Sequence, residues 1–138
     1  MELTLSLVKP DGVKKNKIGE VIRRFEQNGL TVVGLRMLHL TKKEAENFYV
    51  VHRNRPFFDD LTGFMSSGPI VAMALKGDNA IKKVREIMGA TDPGKADKGT
   101  IRGDLGGGIG ENVVHGSDSR ESAQFELPYF FNSLEQHG

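Results

Sequence analysis

Cysteine is absent from all 138 residues. That rules out a disulfide framework and any thiolate metal site, and it is compatible with a reducing compartment. A surplus of charge of one sign is missing too. Lys plus Arg number 19 against 18 Asp plus Glu, a net charge of +1. This speaks against a general nucleic-acid binder, whose surface is strongly basic, and no specific nucleic-acid partner is expected. A single small anion in a local basic pocket stays allowed. No stretch approaches the roughly 18 consecutive apolar residues of a membrane span. The opening MELTLSLVKPDG lacks the charged start and apolar core of a secretion signal. A cytoplasmic protein with no membrane partner is the expectation. Three motifs are missing as well. There is no G-x-x-x-x-G-K-[ST], so no P-loop, and no paired histidine spacing for a metal. No strand carries the aromatic pattern of RNA-binding sheets.

What is present suits one globular domain spanning residues 1–138, with 38% hydrophobic and 27% charged residues. Residues 3–8, LTLSLV, alternate as a strand and stop at a Lys-Pro-Asp-Gly turn. Ile18, Val21, Ile22 and Phe25 share one helical face, with Gly29 as the stop. Residues 30–40 are too apolar and β-branched for a surface helix and read as a strand. Thr41 and Glu44 form a capping box for a helix bearing Ala45, Phe48 and Tyr49. A loop and short helix follow, then an apolar strand at 69–75. Asp78 is the predicted cap of the next helix, which Gly89 ends. Residues 90–112 hold seven of the 17 glycines and no periodicity. Structureless loops beyond ~12 residues are uncommon, so this one reads as functional. GGGIGE within it resembles half of a dinucleotide fingerprint, but no strand precedes it. Val113 and Val114 make a short strand, and Asp118 to Glu121 a second capping box for a helix ending near Leu127, before Pro128. The order predicts an α+β fold, a ferredoxin-like split β-α-β. Its four-stranded antiparallel sheet is covered by helices, with a long loop before the last strand.

His115 stands where that last strand stops. A lone histidine is more often a hydrogen-bonded end residue than a functional one; its neighbours alter that balance. On a helix opening near Asp118, Ser119, Ser122, Ala123 and Glu126 share a face of small or polar residues. Taken alone Glu126 reads as a solvated helix charge; placed on that face it is able to accept one ring N–H and leave the other nitrogen bare, the arrangement of an activated nucleophile. Lys9, Arg55, Arg85, Thr91 and Arg102 fall at loops and element ends. Each alone reads as solvated surface; brought together they clamp a polyphosphate, guanidinium forks pairing with phosphate oxygens. Tyr49, Phe57 and Leu61 suit either a flat slot for a base or plain packing.

The segments VKPDGV, NRPFFDDL, SGPIVAM, GTIRGDL and NVVHGSDS, in this order and spacing, resemble the nucleoside diphosphate kinases from about residue 3 to 131. The resemblance implies transfer of a γ-phosphate from a nucleoside triphosphate to a nucleoside diphosphate, by a ping-pong route through phosphohistidine and with broad base tolerance. It makes His115 the nucleophile, held by Glu126 with Ser117 close by. Lys9 and Tyr49 would act at the transferred phosphate, and Arg55, Arg85, Thr91 and Arg102 along the phosphate chain. Asn112 would meet the sugar hydroxyl and the β–γ bridge, while Phe57 and Leu61 sandwich the base with Ile109 nearby. Mg²⁺ would come with the nucleotide, Asp118 reaching it through water and no protein group binding it directly. A homo-oligomer is implied, a hexamer by preference and a tetramer as the alternative. Three departures fall in the long loop: Lys98 where the family has Pro, a glycine-rich LGGGIGEN where relatives carry bulkier residues, and Glu111 where many members have Arg.

Overall fold

Strict alternation of side chains along β1 (Glu2–Val8) and β3 (Ile70–Gly77) sets the centre of a four-stranded antiparallel sheet, ordered β2-β3-β1-β4. The structure is a computed structural model, and it describes residues 1–108, 110–132 and 135–137. From β1 the chain enters α1 (Pro10–Lys14), with Pro10 at the first position, where a missing N–H has no helical partner to lose. α2 (Ile18–Gln27) buries Val21 and Phe25 and ends at Gly29 with φ +85°, as the glycine predicts. β2 (Thr31–Leu38) follows, then α3 (Lys42–Phe48), opened by the predicted box. Thr41 Oγ1 accepts the Glu44 N–H at 3.1 Å, and Glu44 Oε1 the Thr41 N–H at 2.8 Å. A 3-10 turn (Val50–His52) leads to α4 (Phe58–Met65), β3 and α5 (Ala80–Met88). Another 3-10 turn (Pro93–Lys95) precedes α6 (Ile101–Leu105), β4 (Val114–Gly116) and α7 (Arg120–Phe130). This is the split β-α-β of the ferredoxin-like fold.

The pleat divides the core in two. Leu5, Leu7, Ile70, Ala72 and Ala74 face α3, α4 and α7, whereas Val8, Val71, Met73 and Leu75 face α2 and α5. His115 lies opposite Leu7 across the β1–β4 pair and Gly116 opposite Ser6. A Cβ on Gly116 would stand 2.7 Å from Met88 Sδ, so α5 packs that closely on β4 because the residue is glycine.

Five local expectations change. Residues 90–112 are not structureless: Thr100 Oγ1 accepts the Gly103 N–H at 3.1 Å to open α6, and Ile101 is fully buried. One turn and five helical residues are too short to leave a period. Asp78 does not cap α5. Asn79 holds the cap position at φ +51° with no side-chain bond, and Glu2 Oε1 from β1 accepts the Ile81 N–H at 2.8 Å instead. The second capping box lies one residue later, between Ser119 and Ser122. α7 continues past Leu127 through Pro128, because Phe130 is buried on the core and the carbonyl that loses its usual donor belongs to exposed Gln124, within reach of water. Finally, Val113 is outside the strand and His115 inside it. Val113 has φ +74°, and the Val114 N–H bonds the Asn112 carbonyl at 2.8 Å across it, a γ-turn.

Candidate active site

His115 is the middle residue of β4, and its backbone carbonyl accepts the Ser6 hydroxyl at 2.7 Å. Its ring leans toward α7. Nε2–H donates to Glu126 Oε1 at 2.8 Å, and the Ser117 hydroxyl donates to the same oxygen at 2.8 Å. The carboxylate therefore fixes the tautomer, and Nδ1 keeps the lone pair. Edge-on contacts from Phe48 and Tyr49, centroids 5.5 and 5.8 Å away, close two sides of the ring. The side chain remains 19% exposed.

Cations gather beside it. Lys9 closes β1 and is 7% exposed, its Nζ donating to Asn112 Oδ1 at 2.8 Å. Burial, and then the Arg102 charge, lower its pKa to about 8, although Asp11 pulls the other way. Arg102 of α6 donates to the carbonyls of Val114 at 2.8 Å and Gly89 at 3.2 Å. Burial and the neighbouring Arg85 bring it down to about 10. Arg102 thus stands between two like charges, Lys9 and Arg85, and Arg85 donates to the Gly116 carbonyl at 3.5 Å. Such mutual repulsion is the mark of a place shaped for an anion.

The Asn112 amide is pinned at both ends, its Nδ2 donating to the Thr91 carbonyl at 3.0 Å. Tyr49 lies 5% exposed with its hydroxyl buried and unpartnered among the described residues. Burial and then the Glu126 charge push its pKa far up, so it is held as a neutral O–H. Asp118 is held below the usual carboxylate range, first by the Ser122 hydroxyl, with Arg85 contributing.

A cleft of about 630 Å³ opens against this cluster, lined by Lys9, Thr91, Arg102 and Asn112 on one side and Phe57, Leu61 and Phe64 on the other. Phe57 is 43% exposed, with His52 tilted against it at 5.4 Å and the Arg55 guanidinium 5.6 Å from its ring centre. Arg85 borders a neighbouring hollow that shares Thr91 with the cleft. Ile109 lies outside the described residues. The wall also includes Phe64 and Asp60, absent from the motif-based set, and Glu111, which entered above only as a departure from the family. The first two were findable: residues 57, 60, 61 and 64 follow helical spacing and share a face. A larger hollow of about 860 Å³ at Met1, Asp78 and Arg120 holds no comparable set.

A strand-borne imidazole with one nitrogen locked, beside buried cations and an apolar slot, is an arrangement chemically suited to phosphoryl transfer on a nucleotide. The family model described as nucleoside diphosphate kinase matches residues 2–136. A nucleoside diphosphate kinase of Geotalea daltonii is 59% identical over 135 residues, covering 98% of both chains. One from Desulforapulum autotrophicum is 58% identical with the same coverage. Among solved structures, the Aquifex aeolicus nucleoside diphosphate kinase superposes with a TM-score of 0.96 at 47% identity, covering 98% of each chain. The Halobacterium salinarum enzyme, solved in complex with CDP, gives 0.94 at 42%, covering 98% of this chain and 90% of its own. This chain belongs to the nucleoside diphosphate kinase family.

Proposed function

We infer that the chain moves the γ-phosphate of a nucleoside triphosphate onto a nucleoside diphosphate, in two half-reactions through phosphorylated His115. The observation that carries the residue assignment is the 2.8 Å bond from His115 Nε2 to Glu126. In the first half-reaction the Nδ1 lone pair attacks the γ-phosphorus, and the bond to the β–γ bridging oxygen breaks with that oxygen taking the electrons. The ring gains positive charge as the P–N bond forms, and the Glu126 carboxylate faces it. In the second, a β-phosphate oxygen of the acceptor attacks, the P–N bond breaks, and Nδ1 recovers its lone pair. No net proton moves.

Transfer of this kind is chiefly positioning and charge stabilisation. Lys9, Arg102, Arg85 and Arg55 would hold phosphate oxygens, with Thr91 and the Tyr49 hydroxyl as neutral donors. Asn112 would meet the sugar and the bridging region. Phe57 and Leu61 would stack the base, which any base satisfies, so broad tolerance follows. Mg²⁺ suits the site as a companion of the nucleotide, offsetting phosphate charge. Asp118, kept ionised, would reach it through water.

One domain over residues 1–138 would do all of this in the cytoplasm. No helix among the described residues is long and apolar enough to cross a membrane. Leu35 and Met37 stand 54% and 60% exposed on edge strand β2, in keeping with a homo-oligomer. We propose a hexamer, with a tetramer the alternative to be separated by light scattering.

The deciding experiment is transfer from ATP to GDP by wild type and His115→Gln, with labelling by γ-labelled ATP in the absence of acceptor. Wild type should carry an acid-labile, alkali-stable label on His115, and the variant neither label nor turnover. Ordinary turnover by the variant would overturn the assignment.

A further inference from the structure

We propose that Asp11 is a positioning residue for this reaction. Its buried carboxylate holds the backbone turn between Asn112 and the His115 strand, and it keeps a negative charge beside Lys9. The inference rests on the phosphotransfer reading above.

In the sequence, Asp11 is merely the third residue of a Lys-Pro-Asp-Gly turn. In the fold it is 5% exposed, and its Oδ2 accepts the Val113 N–H at 3.0 Å from a residue 102 positions away. Val113 is β-branched with φ +74°, a conformation that costs free energy and persists only where its surroundings impose it. Arg102 holds the carbonyls on either side of it, and the two restraints on Val113 itself both come from one short stretch of chain. The Asp11 carboxylate takes the Val113 N–H, and the Lys9 N–H reaches the Val113 carbonyl at 2.7 Å. Gly12 allows this approach, since a Cβ there would stand 2.9 Å from Val113 Cγ1. An ionised acceptor grips a backbone N–H harder than a neutral one. On one side of the strained residue sits Asn112, whose side chain meets Lys9 and Thr91. On the other, Val114 leads into His115.

The second role is electrostatic. Asp11 Oδ1 is buried with no hydrogen-bond partner among the described residues, a costly state for a carboxylate held only for its shape. The charge it bears on is the Lys9 ammonium, two residues away in sequence, which Asp11 favours in its protonated form. Lys9 is opposed by burial and by Arg102 of α6, and supported by Asp11 of α1. Asp60 of α4 and Glu111 share the cleft wall with it, and Asn112 is its direct partner. Without Asp11 the ammonium would lose its proton at lower pH, and with it a charge for the transferred phosphate.

The test compares Asp11→Asn, which keeps an oxygen for the Val113 N–H and loses the charge, with Asp11→Ala, which loses both. Three readouts are taken across the alkaline range: melting temperature, kcat and KM for transfer from ATP to GDP, and competitive acetylation of Lys9 read by mass spectrometry. For Asp11→Asn, the fall in kcat at high pH and the Lys9 acetylation midpoint should both move down by about half to one pH unit. For Asp11→Ala, kcat should also drop by about 10- to 100-fold with KM little changed, as misplacement of reacting groups produces. A lower melting temperature with wild-type kcat and an unmoved Lys9 midpoint would overturn the proposal. If the alanine variant does not fold, the asparagine variant decides. If wild type itself transfers no phosphate, the kinase reading falls, while the acetylation midpoint still judges the Asp11 charge.

Discussion

Along the seam between β1 and β3, seven residue pairs run in unbroken register, and Leu5, Leu7, Ala72, Met73, Ala74 and Leu75 are fully buried there. Along the seam between β1 and β4 there are three pairs. Around it lie a buried lysine, a buried arginine, an unpartnered phenol and a valine at positive φ. The first seam removes apolar surface from water and stabilises the fold. The second holds groups that water would solvate better. Moving Lys9 from 10.5 to about 8 disfavours its charged form by roughly 3 kcal/mol. Stability made at one edge of β1 thus tolerates a charged, strained site at the other.

Substitutions at the two seams should therefore fail differently. The greatest effect is His115→Gln, which should bring transfer down to background while a thermal melt stays close to wild type. Met73→Ala should do the reverse, costing ~2–5 kcal/mol in a denaturant titration and leaving kcat of the folded fraction intact. A fall in kcat there would break the separation. Lys9→Met should weaken transfer and yet stabilise the apo fold by ~1–3 kcal/mol at neutral pH, the orphaned Asn112 oxygen offsetting part of the gain. The sign with pH follows from the lowered pKa. Between about 8 and 10.5 the unfolded chain holds a proton that the folded lysine has released, so wild-type stability rises with pH. The advantage of the methionine variant should shrink over that window in paired titrations. Smallest of all is Glu20→Gln. Glu20 accepts from Arg23 and Arg24 at 2.7 and 2.8 Å, but these are surface ion pairs within one helix, and the melting temperature should not move measurably.

Legibility in the sequence follows the same division. The strands of the apolar seam, the face of α2 and the Thr41–Glu44 box rest on neighbours within a few residues. Each was readable from spacing alone. The cap of α5 was not, because Glu2 reaches Ile81 from 79 positions away. The γ-turn at Val113 leaves no local signal, since two valines favour extended backbone and the other conformation is held by Asp11, Lys9 and Arg102 from elsewhere in the chain. In α7 the proline signal was real but was outweighed by burial of Phe130. At the site, motif resemblance supplied residue names but not Phe64 and Asp60 of the α4 wall, which only helical spacing from Phe57 and Leu61 could have added.

What the sequence by itself determined is the alternation that builds the sheet, the helix faces that cover it, and a set of motifs specific enough to name the family. Those are local properties, written in side-chain period and residue type. Only the tertiary structure decided which nitrogen of His115 stays bare, how Lys9, Arg102 and Arg85 come to share one field, and that Asp11 faces Val113. The first depends on how α7 packs back against β4, and the other two on groups brought together from distant parts of the chain, Asp11 and Val113 being 102 positions apart; the strength of a charge or hydrogen bond is set by the burial such packing creates.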